Sequence, residues 1–169
     1  MSDPYVIRAL GVGDLNAFRE MRLRALREHT GFFGVHPDEA AASPDSYWEE
    51  TLDGRGKQVF GLFDGARMIG ITAVFTDRED PSGQTAVLAM SYILPEYRGR
   101  KLSRLLYQAR IDWAKAQPPF KRIVVSHRAD NESSRRANQT FGFEHVGSKE
   151  KRWPDGTVAQ DECYVMRIK

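Results

Sequence analysis

The chain has 169 residues, 41% of them hydrophobic and 28% charged, a length and composition that suit one domain burying its own core. A net charge of +2 is too small for a nucleic-acid binder by bulk electrostatics. The single cysteine, Cys163, excludes an internal disulfide and a zinc site built on paired cysteines, and suits a reducing compartment.

The stretch Met1-Ser2-Asp3-Pro4 lacks a basic n-region with an apolar h-region, and no run is apolar enough to span a bilayer. The expectation is a soluble, cytoplasmic chain. Tyr5 to Leu10 reads as a strand, and Asp14 as the N-cap of a helix to about Glu28 with Leu15, Phe18, Ala25 and Leu26 on its buried stripe. Thr30 to Ala42 reads as irregular, either shaping a pocket or serving as a flexible connector. Ser43-Pro44 reads as cap plus first-turn proline of a second helix to about Leu52.

Gln58 to Phe63 and Met68 to Phe75 are strand patterns joined by Asp64-Gly65, a strong hairpin signal. Thr85 to Leu94 follows as a central strand covered on both faces. It feeds Pro95-Glu96-Tyr97-Arg98-Gly99-Arg100-Lys101-Leu102-Ser103, a basic turn opening into a helix from Lys101 to about Gln117. That helix carries Leu102, Leu105, Leu106, Ala109 and Trp113 at helical spacing. The first N–H groups of a helix have no intrahelical partner and sit at the positive end of its dipole. With Arg98, Arg100, Lys101 and Arg104 around them and Gly99 freeing the backbone, the turn reads as a phosphate site, the alternative being a solvated basic helix end.

Pro118-Pro119 ends the helix, and Arg122 to Ser126 forms a strand parallel to the one before the turn. Asn131 to Thr140 is a short polar helix stopped at Phe141-Gly142-Phe143. Strands from about Glu144 to Glu150 and Gln160 to Ile168 flank a turn at Pro154-Asp155-Gly156.

Two of these segments carry a resemblance. Arg98-Gly99-Arg100-Lys101-Leu102-Ser103 resembles the acyl-CoA pyrophosphate loop of the GNAT superfamily of N-acetyltransferases, with Lys101 and Ser103 at the positions of its small residues. Asn131-x-x-Ser134-x-x-Ala137-x-x-x-Phe141-Gly142-Phe143 resembles the family's second CoA-side motif. The resemblance implies an α/β fold over residues 1–169, with a mixed, mostly antiparallel central sheet, a splayed parallel strand pair and flanking helices. It implies transfer of an acetyl group from acetyl-CoA to a primary amine on a small molecule or a peptide, by direct attack. A CoA-binding or regulatory module with little catalysis is the alternative.

The cofactor-binding residues implied are the backbone at Tyr92 and Ile93, the turn residues Arg98, Gly99, Arg100, Lys101, Leu102 and Ser103, and Asn131, Ser134 and Asn138. Asn138 stands where many members carry a tyrosine that protonates the departing thiolate, and an amide cannot donate in that way. Leu88 to Tyr92 contains no carboxylate, so His127, at the end of the next strand, is the candidate base. His29 and His36 border the acceptor side through the irregular segment. Cys163 reads as a small strand residue rather than a nucleophile. No metal ligand spacing is present. The acceptor and the oligomeric state, a homodimer included, stay open.

Overall fold

The computed structural model describes residues 4–169; Met1, Ser2 and Asp3 of the N-terminal stretch read above lie outside the described residues. Seven strands form one sheet: β1 (Tyr5–Ala9), β2 (Lys57–Asp64), β3 (Arg67–Thr76), β4 (Thr85–Ile93), β5 (Arg122–Arg128), β6 (Glu144–Arg152) and β7 (Val158–Arg167). Their order is β1-β2-β3-β4-β5-β7-β6. Every neighbouring pair is antiparallel except β4 and β5. Five helices flank the sheet: α1 (Leu15–Glu28), α2 (Pro37–Ala41), α3 (Asp45–Thr51), α4 (Ser103–Ala116) and α5 (Glu132–Thr140). None is long and apolar enough to cross a membrane.

The β2-β3 hairpin turns on Gly65, whose φ of 59° fits the left-handed region that Asp-Gly turns require. β3 is buried on both faces from Ile69 to Val74. Ile69, Ile71 and Ala73 join Phe18 and Leu26 of α1 and Trp48 of α3 in one core cluster. Val74 joins Ile111 and Ala114 of α4 in another. Because strand side chains alternate between faces, α1 and α4 cover opposite sides of the sheet. Phe18 is fully buried and meets Trp48 edge-on at 5.9 Å, a contact whose truncation to alanine costs about 3–5 kcal/mol.

Three local expectations are corrected and a fourth holds in position alone. Asp14 is the N-cap residue of α1, as expected, but its carboxylate does not cap the helix: it accepts from the Gly11 N–H at 2.9 Å and from Arg8, closing a 3-10 turn at Val12–Asp14. Thr30 to Ala42 is not wholly irregular, since Pro37 opens α2 while the His36 ring nitrogen accepts from the Asp38 N–H. Ser43 is not a cap either: its hydroxyl donates back to Glu39 O, and Pro44 takes the cap position before α3. Finally, α4 begins at Ser103, and its buried face is Leu106, Tyr107, Arg110, Ile111 and Ala114. The apolar spacing at 105, 109 and 113 therefore points to the half-buried flank, and a tyrosine and an arginine point in.

Candidate active site

The site begins where two strands part. β4 and β5 are paired only at Thr85↔Arg122, Ala86↔Ile123 and Val87↔Val124. Just beyond, the register of β4 against β3 shifts between Ile71 and Ala73, so Met90 and Ser91 both stand against Thr72. Met90 takes φ 61°, a left-handed conformation that costs a non-glycine residue about 1–2 kcal/mol and is kept where surroundings fix it. Here the Thr72 and Ser91 hydroxyls, 2.8 Å apart, tie the bulge to β3. A bulge bends its strand, and this one carries β4 away from β5.

The gap is a cleft of about 330 Å³ through the sheet, walled by residues 88–93 of β4 and 125–127 of β5. His29, Phe32 and Phe33 line it from the α1 side, and Tyr107, Arg110 and Asn138 from the side of α4 and α5. Over the α1 side, Arg128 of β5 donates to Gly31 O and pairs with Asp155, both at 3.1 Å, which pins the β6-β7 turn above the segment after α1.

A groove of about 300 Å³ continues the cleft to the basic turn, sharing Ser91, Tyr92, Ile93 and Arg98 with it and reaching Gly99, Lys101, Leu102 and Ser103. Gly99 has φ 79° and Lys101 φ 59°. Lys101 thus adopts the backbone that a glycine would take, and its Cβ does not prevent the turn. Left-handed Lys101 followed by right-handed Leu102 (φ −73°, ψ −21°) aims successive N–H groups to one side, the concave arrangement that binds anions. No side chain caps α4, so its first N–H groups are available for the same purpose. Leu102, 3% exposed, anchors this turn in the core.

The arginines of the turn act differently from the sequence expectation. Arg98 turns toward the cleft: Nε donates to Ile93 O at 2.9 Å, Nη2 donates to Glu28 at 2.8 Å, and the guanidinium lies 5.4 Å from the Tyr92 ring centre. Arg100 turns away, donating to the Tyr5 hydroxyl at 2.7 Å and to Glu96 O, and its side chain does not line the groove. Leu94 N–H bonds Ile69 O of β3, so by strand alternation Tyr92 also faces β3 while Ile93 presents its backbone to the open edge. Of the two backbone sites expected, Ile93 is the one on the cleft. Tyr92 contributes its side chain, whose hydroxyl donates to Glu28.

On α5, Asn131 accepts from the Ser134 N–H at 3.2 Å and so caps the helix while lining the cleft with Ser134. Asn138 is fully buried. Its Oδ1 accepts from the Tyr107 hydroxyl at 2.6 Å, and its Nδ2 has no partner. Tyr107 stacks on Phe141 at 4.5 Å, and burial pushes its phenol pKa up, so it remains a donor.

His127 lines the cleft, but both ring nitrogens are engaged: Nδ1 meets Arg128 O at 2.7 Å and Nε2 meets the Tyr164 hydroxyl at 3.0 Å. Nδ1 must carry the proton to bond a carbonyl, which leaves the Nε2 lone pair accepting from Tyr164. That lone pair is not free for an amine proton. His29 lines the cleft as expected, 3.3 Å from Glu28 and 3.4 Å from Arg98, whereas His36 lies outside it. Burial pushes the Glu28 carboxyl up, but bonds from Tyr92 and Arg98, with the charges of Arg98 and His29, outweigh it and hold the pKa below its ordinary value. Burial, with the Asp161 charge, pushes the Cys163 thiol up, so no thiolate forms there at neutral pH. Among the described residues no cluster of metal-ligating side chains occurs.

Sequence reasoning missed Glu28, Tyr107 and Arg110. Glu28 reads as a helix end, and only the i, i+3 spacing of Tyr107 and Arg110 beside Leu106 and Ile111 marked their face.

The model of the acetyltransferase (GNAT) family matches residues 18–143. No curated protein matches the chain by sequence. Among solved structures, an N-acetyltransferase from Staphylococcus aureus Mu50 is similar over 99% of this chain and 100% of its own, at 24% identity and a TM-score of 0.80. The putative acetyltransferase yncA from Salmonella typhimurium, solved with its cofactor acetyl-CoA, is similar over 99% of this chain and 95% of its own, at 17% identity and a TM-score of 0.79. A GNAT-family acetyltransferase from Streptococcus pneumoniae covers 97% and 99%, at 18% identity and a TM-score of 0.79. With the matched segment spanning α1 through α5 and the splayed β4-β5 pair at its centre, the chain belongs to the acetyltransferase (GNAT) family, whose acyl donor is acetyl-CoA.

Proposed function

We propose that the chain is an N-acetyltransferase moving the acetyl group of acetyl-CoA to a primary amine by direct attack, as one domain over residues 1–169. One observation carries the reading: the cleft opened where β4 leaves β5 has His29 at one end and shares Ser91, Tyr92, Ile93 and Arg98 with the groove that reaches the basic turn. A donor laid from the turn inward meets an acceptor entering from the α1 side.

The turn at Gly99 to Ser103 holds the pyrophosphate with backbone N–H groups. Arg98 acts mainly as a brace that ties the turn to β4 and α1. The open edge at Ile93, with Asn131 and Ser134, takes the pantetheine arm, and Asn138 Nδ2 offers a donor to its sulfur end. Fixed donors along this edge face the oxyanion that forms as the amine adds to the thioester carbonyl. Because both nitrogens of His127 are occupied, we assign it to positioning β5. The proton of the incoming ammonium goes to His29, whose imidazolium is answered by Glu28. Phe32 and Phe33 give the acceptor an apolar approach. The same features support a primary amine on either a small molecule or a peptide.

Titration with acetyl-CoA should give saturable binding, weakened about tenfold in Arg98→Ala through loss of charge-assisted bonds. Free thiol should be released from acetyl-CoA with some amine in a screened panel. The alternative, a CoA-binding module with little catalysis, draws on the amide at Asn138, and predicts binding without thiol release. Absence of CoA binding refutes both.

A further inference from the structure

The inner end of the cleft holds a cation that nothing answers. Arg110 is 2% exposed, yet its guanidinium makes one hydrogen bond, from Nε to Leu106 O at 3.0 Å, and lies 4.8 Å from the Tyr107 ring centre. Among the described residues no carboxylate pairs with it, although it lines the cleft. Its neighbour across Tyr107 is Asn138, fully buried, whose Nδ2 is also without a partner and whose orientation is set by the Tyr107 hydroxyl on Oδ1. The cleft lining includes two arginines and two histidines and neither an aspartate nor a glutamate. Of the two arginines, Arg98 is neutralised by Glu28 and Arg110 is not.

A buried cation is retained in a protein interior where an anion completes it. Burial pushes the Arg110 pKa down to about 10, so the group still carries its charge at neutral pH. The guanidinium edge is a fork that fits a planar carboxylate in bidentate fashion, and an amide nitrogen with two N–H bonds can serve a carboxylate and the pantetheine end together. The phosphates of a CoA-type donor are accounted for at the turn, on the far side of Tyr107.

We propose that Arg110 and Asn138 Nδ2 form a carboxylate-binding site at the inner end of the acyl-transfer cleft, so that one of the two substrates brings a carboxylate there. The inference rests on the acyltransferase reading above. The carboxylate comes either from the acyl group of the donor or from the amine acceptor.

The test uses the full chain and compares charged with neutral ligands on the same protein, so a partly destabilised variant does not confound it. In the donor arm, succinyl-CoA and butyryl-CoA are titrated calorimetrically against wild type, Arg110→Met and Arg110→Lys. In the acceptor arm, thiol release from acetyl-CoA is followed with amino acids and with their carboxamides. The expected result is a preference for the carboxylate form on the order of tenfold in one arm, reduced to within about twofold in Arg110→Met and largely kept in Arg110→Lys. The arm that shows the preference identifies the source. Wild type that binds CoA but shows no preference above about twofold in either arm, or a preference that survives Arg110→Met, overturns the site. Loss of CoA binding in wild type overturns the acyltransferase reading instead.

Discussion

Replacing Tyr107 with phenylalanine removes one oxygen atom from the centre of the site and leaves the stack on Phe141, at 4.5 Å with 12° between the ring planes, in place. What it leaves behind is Asn138, fully buried, with neither Oδ1 nor Nδ2 bonded. A buried acceptor stranded in this way costs about 1–3 kcal/mol, which at this chain length corresponds to a fall in melting temperature of about 2–4 °C per kcal/mol. Asn138→Leu strands the Tyr107 hydroxyl, 7% exposed at its residue, for a similar cost. Removing both partners leaves an apolar contact of nearly the same shape, which is close to neutral. Urea unfolding of wild type, both single variants and the double variant should therefore give a coupling of about 2–6 kcal/mol, the double being more stable than the sum of the singles requires. Additivity to within about 0.5 kcal/mol would show that the 2.6 Å bond does not carry the energy assigned to it, and that water in the cleft satisfies both groups.

The assignment of proton removal separates two histidines: in His29→Gln the pH–rate profile for thiol release loses the rise of its acidic limb, while His127→Gln keeps the profile's shape and lowers stability through loss of the Tyr164 contact. An unchanged profile in His29→Gln removes that residue as the base. For Glu28, a folded-state pKa held below the ordinary 4.5 means a contribution to stability present above about pH 4.5 and lost as pH falls through the folded value. Denaturant midpoints of wild type and Glu28→Gln should accordingly converge as pH is lowered from 6 toward 3, and parallel curves would contradict the bonds from Tyr92 and Arg98. Lys101→Gly relieves a left-handed penalty of about 1–2 kcal/mol and adds about 0.5–1 kcal/mol of chain entropy. The net is a small stabilisation, seen as a raised melting temperature, without loss of CoA affinity. Weaker CoA binding in that variant would mean the lysine side chain, rather than the backbone cradle, holds the phosphates.

Where a local rule decides the backbone, the residues announce it. Asp64-Gly65 sets the β2-β3 hairpin, Gly99 and the basic run set the turn, and Phe141-Gly142-Phe143 ends α5 with Gly142 at φ 84°. The opening of the cleft follows no local rule. It depends on a register shift at Ala89-Met90-Ser91, a stretch with no glycine to mark a bulge, and on how far β5 continues past its last pairing with β4. The inward face of α4 is hidden for a related reason: part of its apolar spacing falls on the half-buried flank, and Tyr107 and Arg110 look like surface residues until the cavity beneath them is known. The position read from the resemblance as lacking a tyrosine is where that hidden face matters most. Asn138 stands in the tyrosine's place, but α4 returns a phenol hydroxyl to within 2.6 Å of the Asn138 amide oxygen. The two residues therefore act as a pair: an amide on α5 requires a buried donor, and Tyr107 on α4 supplies it, with Arg110 one turn further along.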